Sequence, residues 1–202
     1  IDFGCIKYTS AGQSGRDILT NSPNYWAITD CGPLSSQTFQ ILVDVTGIGE
    51  FTLPYYDLGT YTGTIDWGDG NTNTNSYANR YHSYVSEGQY VITVVGTISD
   101  FNFGHYADLG NGDETEDALI EIQNWGTGFS FGGFGGAATG NRAFEYCVNL
   151  TEITATDVPD LTGITDLSYM FGACYAFIGG ASMASWDTSG VTNMQGMFDT
   201  SY

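Results

Sequence analysis

One short stretch that could do chemistry is Asp66-Trp67-Gly68-Asp69-Gly70-Asn71-Thr72-Asn73. Asp66, Asp69, Asn71 and Asn73 place four such donors on a single turn, the chemistry a hard cation such as Ca²⁺ requires. The competing account is that Asp and Asn close tight turns by bonding their own backbone. A second acidic run, Asp108 to Asp117, carries Asp108 and Asp113 with the charge for Ca²⁺ but not EF-hand spacing. Ca²⁺ is therefore the one cofactor the residues suggest.

Nucleophilic chemistry has weaker support. Gly128-Phe129-Ser130-Phe131-Gly132 fits the G-x-S-x-G pattern, yet it lies in a glycine-rich run where such matches are cheap. A nucleophile elbow also needs a following helix and a downstream histidine, and both His82 and His105 precede Ser130. The expectation is a packed loop, with Phe129, Phe131 and Phe134 on the first repeat. His82 is expected to make a structural hydrogen bond. The chain is read as non-enzymatic.

Four cysteines, Cys5, Cys31, Cys147 and Cys174, include no CxxC pair, so zinc is not expected. They allow three disulfide pairings. Cys5 with Cys31 and Cys147 with Cys174 are the candidates, against buried reduced thiols for the second pair. Tyr55, Tyr56, Tyr61 and Tyr77, with Tyr81 and Tyr84, fall near loops and are candidates for contact with a glycan or protein. Asn149-Leu150-Thr151 is a glycosylation sequon.

Composition narrows the partners. Twenty-three acidic residues face four basic ones, a net charge of −19, while charged residues are only 13% of 202. Binding to nucleic acid or to an anionic membrane is excluded, because both need clustered Lys and Arg. No apolar run reaches the ~20 residues of a membrane span. The sequence starts at Ile1 rather than Met, which suggests processing or a fragment.

The elements that would hold these residues come in zones. Residues 1–37 read as an irregular arm or linker, broken by glycine and proline. Residues 38–104 alternate as half-buried strands: Phe39, Ile41, Val43 and Val45 on one face, Gln40, Leu42, Asp44 and Thr46 on the other. Further strands are expected at Glu50–Leu53, Gly63–Trp67 and Gln89–Val95, giving an antiparallel sandwich. Residues 105–118 form an acidic junction.

Residues 119–202 hold an internal repeat. Ala143-Phe144, Met170-Phe171 and Met197-Phe198 recur at an offset of 27, as do Asp160-Leu161-Thr162-Gly163 and Asp187-Thr188-Ser189-Gly190. A repeat that cannot bury its apolar face alone must stack. Phe144, Phe171 and Phe198 should then share one internal column, Ile164 and Val191 another, and Cys147 and Cys174 a third. Tyr202 is the counterpart of Tyr175, so the pattern breaks off within a repeat and expects a further half coil or a covering partner.

Two resemblances follow from these motifs. Asp66-Trp67-Gly68-Asp69-Gly70, His82-Ser83-Tyr84 and Gly88-Gln89-Tyr90-Val91-Ile92 resemble the polycystic-kidney-disease (PKD) domain, which implies an immunoglobulin-like sandwich used as an extracellular spacer or binding module. Trp186-Asp-Thr-Ser-Gly-Val-Thr-Asn-Met-Gln-Gly-Met-Phe198 resembles the BspA-like leucine-rich repeats of surface antigens, which implies a solenoid and an adhesive or attachment role. The fold class expected is mainly β: an immunoglobulin-like β-sandwich, then a leucine-rich-repeat-type solenoid with 27-residue repeats. The function expected is a surface-exposed adhesion or structural protein at a cell surface, virion or appendage, binding protein or glycan or assembling into oligomers, filaments or particles. The alternative is an accessory module of a secreted enzyme.

Overall fold

Alternation over Phe39–Val45 produces the central strand of the main sheet. Phe39, Ile41, Val43 and Val45 are buried, while Gln40, Leu42 and Asp44 are half-buried on the opposite face. A computed structural model describes residues 37–104, 114–132 and 140–201. Cys5, Cys31, His105, Asp108, Asp113 and Phe134 lie outside those residues, as does the N-terminal arm. Gln37–Tyr202 groups as a single unit.

The described chain is mainly β. Its strands are β1 (Thr38–Asp44), β2 (Glu50–Thr52), β3 (Tyr61–Asp66), β4 (Thr72–Thr74), β5 (Tyr81–Ser83), β6 (Gln89–Ile98), β7 (Leu119–Asn124) and β8 (Glu152–Ile153). Six form one sheet in the order β4-β3-β6-β1-β7-β8, and β2 pairs with β5 in a second. The pairs are antiparallel except β7 with β8, which is parallel.

Two expected strands prove longer than their apolar runs. β3 starts at Tyr61 rather than Gly63, and β6 continues to Ile98 rather than Val95. Gly63 faces Gly96 in register, with φ of 95° and 135°. A Cβ on either would lie about 2 Å from the opposite strand's carbonyl oxygen, so facing glycines let the pairing run through.

β1 joins the two halves of the chain. It bonds β6 on one side and β7 on the other, so the sheet passes from residues 38–98 into residues 119–153. The core is continuous across this seam. Phe39 stacks on Phe129 at 4.5 Å, Phe101 meets Phe144 at 5.8 Å, and Trp125 contacts Phe144 at 5.9 Å and Trp186 at 5.7 Å.

From Gly140 onward the backbone hydrogen bonds become periodic. The amides of Gly140, Arg142, Phe144 and Tyr146 donate to the carbonyls of Asp166, Ser168, Met170 and Gly172. Those of Leu167, Tyr169, Phe171 and Ala173 repeat the pattern on Asn193, Gln195, Met197 and Asp199. Three successive coils are thus laddered. Phe144, Phe171 and Phe198 stack at 5.5 and 5.8 Å with their planes 7° and 2° apart.

Each coil bends at two left-handed residues, Arg142, Tyr169 and Gly196 at one position and Tyr146, Ala173 and Thr200 at the other. Only Gly196 avoids the side-chain penalty of that conformation, and the Tyr169 ring occupies the space its missing Cβ leaves.

Candidate functional site

The turn after β3 is built by its own side chains. Gly68 and Gly70 take φ of 82° and 91°. A Cβ on Gly68 would sit 2.6 Å from the Val91 carbonyl oxygen, so the turn lies directly on β6. One Asp66 oxygen accepts the Gly68 amide at 3.0 Å, and one Asp69 oxygen accepts the Asn71 amide at 3.0 Å. The other Asp69 oxygen accepts the Asn71 side-chain amide at 2.9 Å and shares a 2.9 Å hydrogen bond with His82 Nε2. Asn73 accepts the Trp67 indole N–H at 2.7 Å.

These partners use the predicted donors to close the turn and to dock it on a buried aromatic group. Trp67 is fully buried, stacks on His82 at 4.9 Å, and His82 in turn meets Tyr84 edge-on at 4.7 Å. His82 therefore makes the structural hydrogen bond expected of it. Burial pushes the Asp69 carboxyl up, but the hydrogen bonds from His82 and from the Asn71 backbone and side chain outweigh it and bring it down to about 2. Among the described residues, no group of three or more His, Cys, Asp or Glu is gathered as a metal site.

The tyrosines divide. Tyr55 is fully buried and donates to Asn75 Oδ1 at 2.9 Å, so it belongs to the core and not to an accessible binding face. Loop position misled here, because Asn75 supplies the polar partner that lets a tyrosine hydroxyl be buried. Tyr61 stacks on Tyr55 at 4.1 Å, and its hydroxyl lies within hydrogen-bond reach of the Tyr56 and Asp100 carbonyls, at 2.8 and 2.9 Å. Tyr77 is partly buried against the core, with the Arg80 guanidinium 3.9 Å from its ring centre. Tyr56 is half-buried, and Tyr81 is exposed.

The remaining reactive side chains are also committed to packing. Ser130 lies near the Ile98 and Ser99 carbonyls at 3.4 Å, between the buried rings of Phe129 and Phe131. Cys147 and Cys174 are free and buried, without the candidate disulfide. The Cys174 thiol donates to the Phe144 carbonyl at 3.1 Å, which satisfies it within the column. Burial pushes the Cys147 thiol well up and the Cys174 thiol up to about 12, so neither is a thiolate at neutral pH.

A cleft of about 770 Å³ runs along the flank of the coils, lined by Asp157, Asp160 and Asp187 with Thr127, Thr162 and Ser189 among others. Asp157 accepts the Trp125 and Gly126 amides at 3.0 and 2.7 Å, pinning the end of β7 to the loop after β8. Asp160 and Asp187 are repeat counterparts. Each accepts the amide two residues on, Thr162 at 2.9 Å and Ser189 at 3.0 Å.

Side-chain and then backbone hydrogen bonds from Thr162 and Ser189 hold these two carboxyls below their ordinary value, so they are anionic at neutral pH. The lining can accept hydrogen bonds from hydroxyl, amide or ammonium groups. The recurrence of Asp160 and Asp187 was readable at the 27-residue offset, whereas Asp157 falls outside the repeat and gave no signal.

A family model described as "Mycoplasma protein of unknown function, DUF285" matches residues 140–202. The match begins at Gly140, whose amide makes the first rung of the ladder between coils. Neither comparison with curated proteins nor comparison with solved structures returned a match.

Proposed function

We propose that the chain is a non-catalytic, surface-exposed adhesion or structural protein. In this reading a PKD-like, immunoglobulin-like sandwich carries a leucine-rich-repeat-type solenoid of the BspA-like kind. The solenoid flank contacts a glycan or protein partner. The setting is extracellular, at a cell surface or on a virion or appendage.

The observation that carries the reading is the contrast between buried and accessible chemistry. Ser130, Cys147, Cys174 and His82 are engaged in packing or in hydrogen bonds within the fold. The accessible polar concavity is instead lined by ionised carboxylates and hydroxyls on successive coils. Such a lining binds by hydrogen bonding and charge, and its repetition suits an extended ligand. A net charge of −19 directs it to neutral or cationic partners.

The test is binding of the labelled 202-residue chain to immobilised glycans and extracellular-matrix proteins, with an Asp160→Asn/Asp187→Asn double variant beside it. Asn keeps the oxygen that accepts the local amide and removes the charge. At least a fivefold loss of binding is expected, with the melting temperature held within about 2 °C. Unchanged binding by the double variant, or turnover of any glycan or ester by the purified chain, would contradict the proposal.

A further inference from the structure

The flank cleft is lined by stretches from different parts of the chain. Gly126 and Thr127 follow β7, Thr156 to Gly163 follow β8, and Asp187 and Ser189 belong to the next coil. The first stretch is fixed to the main sheet. Gly126 takes a left-handed φ of 68°, and a Cβ there would sit 2.3 Å from the Thr38 carbonyl oxygen, so its backbone lies directly on β1. Two residues on, the Gly128 carbonyl accepts the Ile98 amide at 2.8 Å.

The second stretch starts from the sheet and then leaves it. The Thr154 and Ala155 amides donate to the Ile122 carbonyl at 3.0 and 3.1 Å. Further on come Val158, 40% exposed, and Pro159, which has no amide to donate. Asp157 stands between. Its carboxylate crosses to the first stretch, accepting the Trp125 amide at 3.0 Å on one oxygen and the Gly126 amide at 2.7 Å on the other.

This separates Asp157 from the other two carboxylates of the cleft. Asp160 and Asp187 recur at the repeat offset, and each accepts the amide two residues on in its own turn. The residues one offset before and after Asp157 are Ser130 and Ala184, neither of them a carboxylate.

The geometry assigns Asp157 a positioning role: it clamps the Gly126–Thr127 stretch to the Thr156–Gly163 stretch and so sets the shape of the cleft, while Asp160 and Asp187 present charge to the partner. A carboxylate suits the task because its two oxygens serve two successive amides at once, and its charge strengthens both bonds. Asn has one such oxygen, and its NH₂ group would face an amide N–H. The role rests on the reading of the cleft as the contact surface, and a measurement without any ligand tells the two apart.

That measurement is paramagnetic relaxation of backbone amides by a nitroxide at Val158, carried on a ketone-bearing side chain that leaves the four cysteines untouched. The label should broaden the Gly126 and Thr127 amides strongly. Asp157→Asn should reduce that broadening at least threefold, with exchange at the Phe144 and Phe171 amides unchanged. The Asp160→Asn/Asp187→Asn double variant should retain it. On the panel of immobilised glycans and matrix proteins, Asp157→Asn should weaken binding at least threefold and keep the salt dependence of the original chain, which the double variant loses.

Undiminished broadening in Asp157→Asn overturns the proposal. So does fast exchange at Phe144 and Phe171 in that variant, because Asp157 then holds the coils rather than the cleft. A loss of salt dependence in Asp157→Asn overturns it too, because Asp157 then meets the partner directly. Reduced broadening together with binding that no variant alters supports the clamp and contradicts the contact-surface reading alone.

Discussion

The sheet around Trp67 and the coils around Phe171 are both packed around aromatic rings, but they are held together by different rules. In the sheet, neighbours in space are far apart in sequence: β1 lies between β6 and β7, and β3 pairs with β6 across the whole β4–β5 excursion. In the coils each ladder amide finds its acceptor on the next coil, at one fixed separation. A sheet of the first kind fails as a whole when one central side chain is lost. A stack of the second kind fails in proportion to how far a residue lies from its supported end.

The sharpest break in that comparison is at the seam. Trp125 touches Phe39, Phe129 and Phe131 on one side and Phe144 and Trp186 on the other. Trp125→Ala should cost about 3–5 kcal/mol by denaturant unfolding and destabilise both regions together. Loss of the coil signal with an unchanged sheet signal would show that the regions fold independently.

Within the sheet, the two glycines of the β3–β4 turn separate crowding from backbone strain. Gly68→Ala meets the Val91 carbonyl and also keeps a left-handed φ, and should cost about 2–3 kcal/mol. Gly70→Ala has open space and should cost about 1 kcal/mol, the left-handed penalty alone. Equal costs at the two positions would mean that the turn does not lie on β6.

Acid should act on the sheet region through Asp69. Its folded-state carboxyl is held at about 2, below the ordinary carboxylate value, so its stabilisation is present above about pH 4 and is lost as pH falls toward 2. The contribution is of order 1–2 kcal/mol. Asp69→Asn should remove that part of the acid sensitivity, as read from melting temperatures between pH 2 and 5. The smallest effect concerns cations at the same turn. Because the Asp69 and Asn73 oxygens already accept hydrogen bonds, removing Asp69 should alter the response of the melting temperature to millimolar Ca²⁺ or EDTA by less than about 1 °C.

The two regions also differ in how far the sequence exposed them. Alternation marked β1, and the Asp66–Gly70 motif marked the turn, because both depend on neighbours in sequence. The 27-residue offset identified the phenylalanine column before any coordinates, since a periodic fold writes its contacts as a period. Strand order gave no such signal. Nothing local in Leu119–Asn124 says that it pairs with β1, and the Gly63–Gly96 contact is meaningful only once the two strands are set side by side.

The part Asp157 plays in the flank cleft was missed for the same reason. Asp157 acts on amides more than thirty residues away. Tyr55 erred in the opposite direction: a tyrosine in a polar loop looks accessible until its partner Asn75, twenty residues on, is known.

The most direct test of the stacked-coil account is a phenylalanine-to-alanine series along the column, measured by denaturant unfolding under one set of conditions. Phe144 packs against Phe101, Phe103, Trp125 and Phe131 as well as Phe171; Phe171 lies between Phe144 and Phe198; Phe198 is 45% exposed. The predicted losses descend in that order, about 4–5, about 3–4 and about 1 kcal/mol. Equal losses at the three positions, or the largest at Phe198, would contradict a column supported at the sheet and open at its far end.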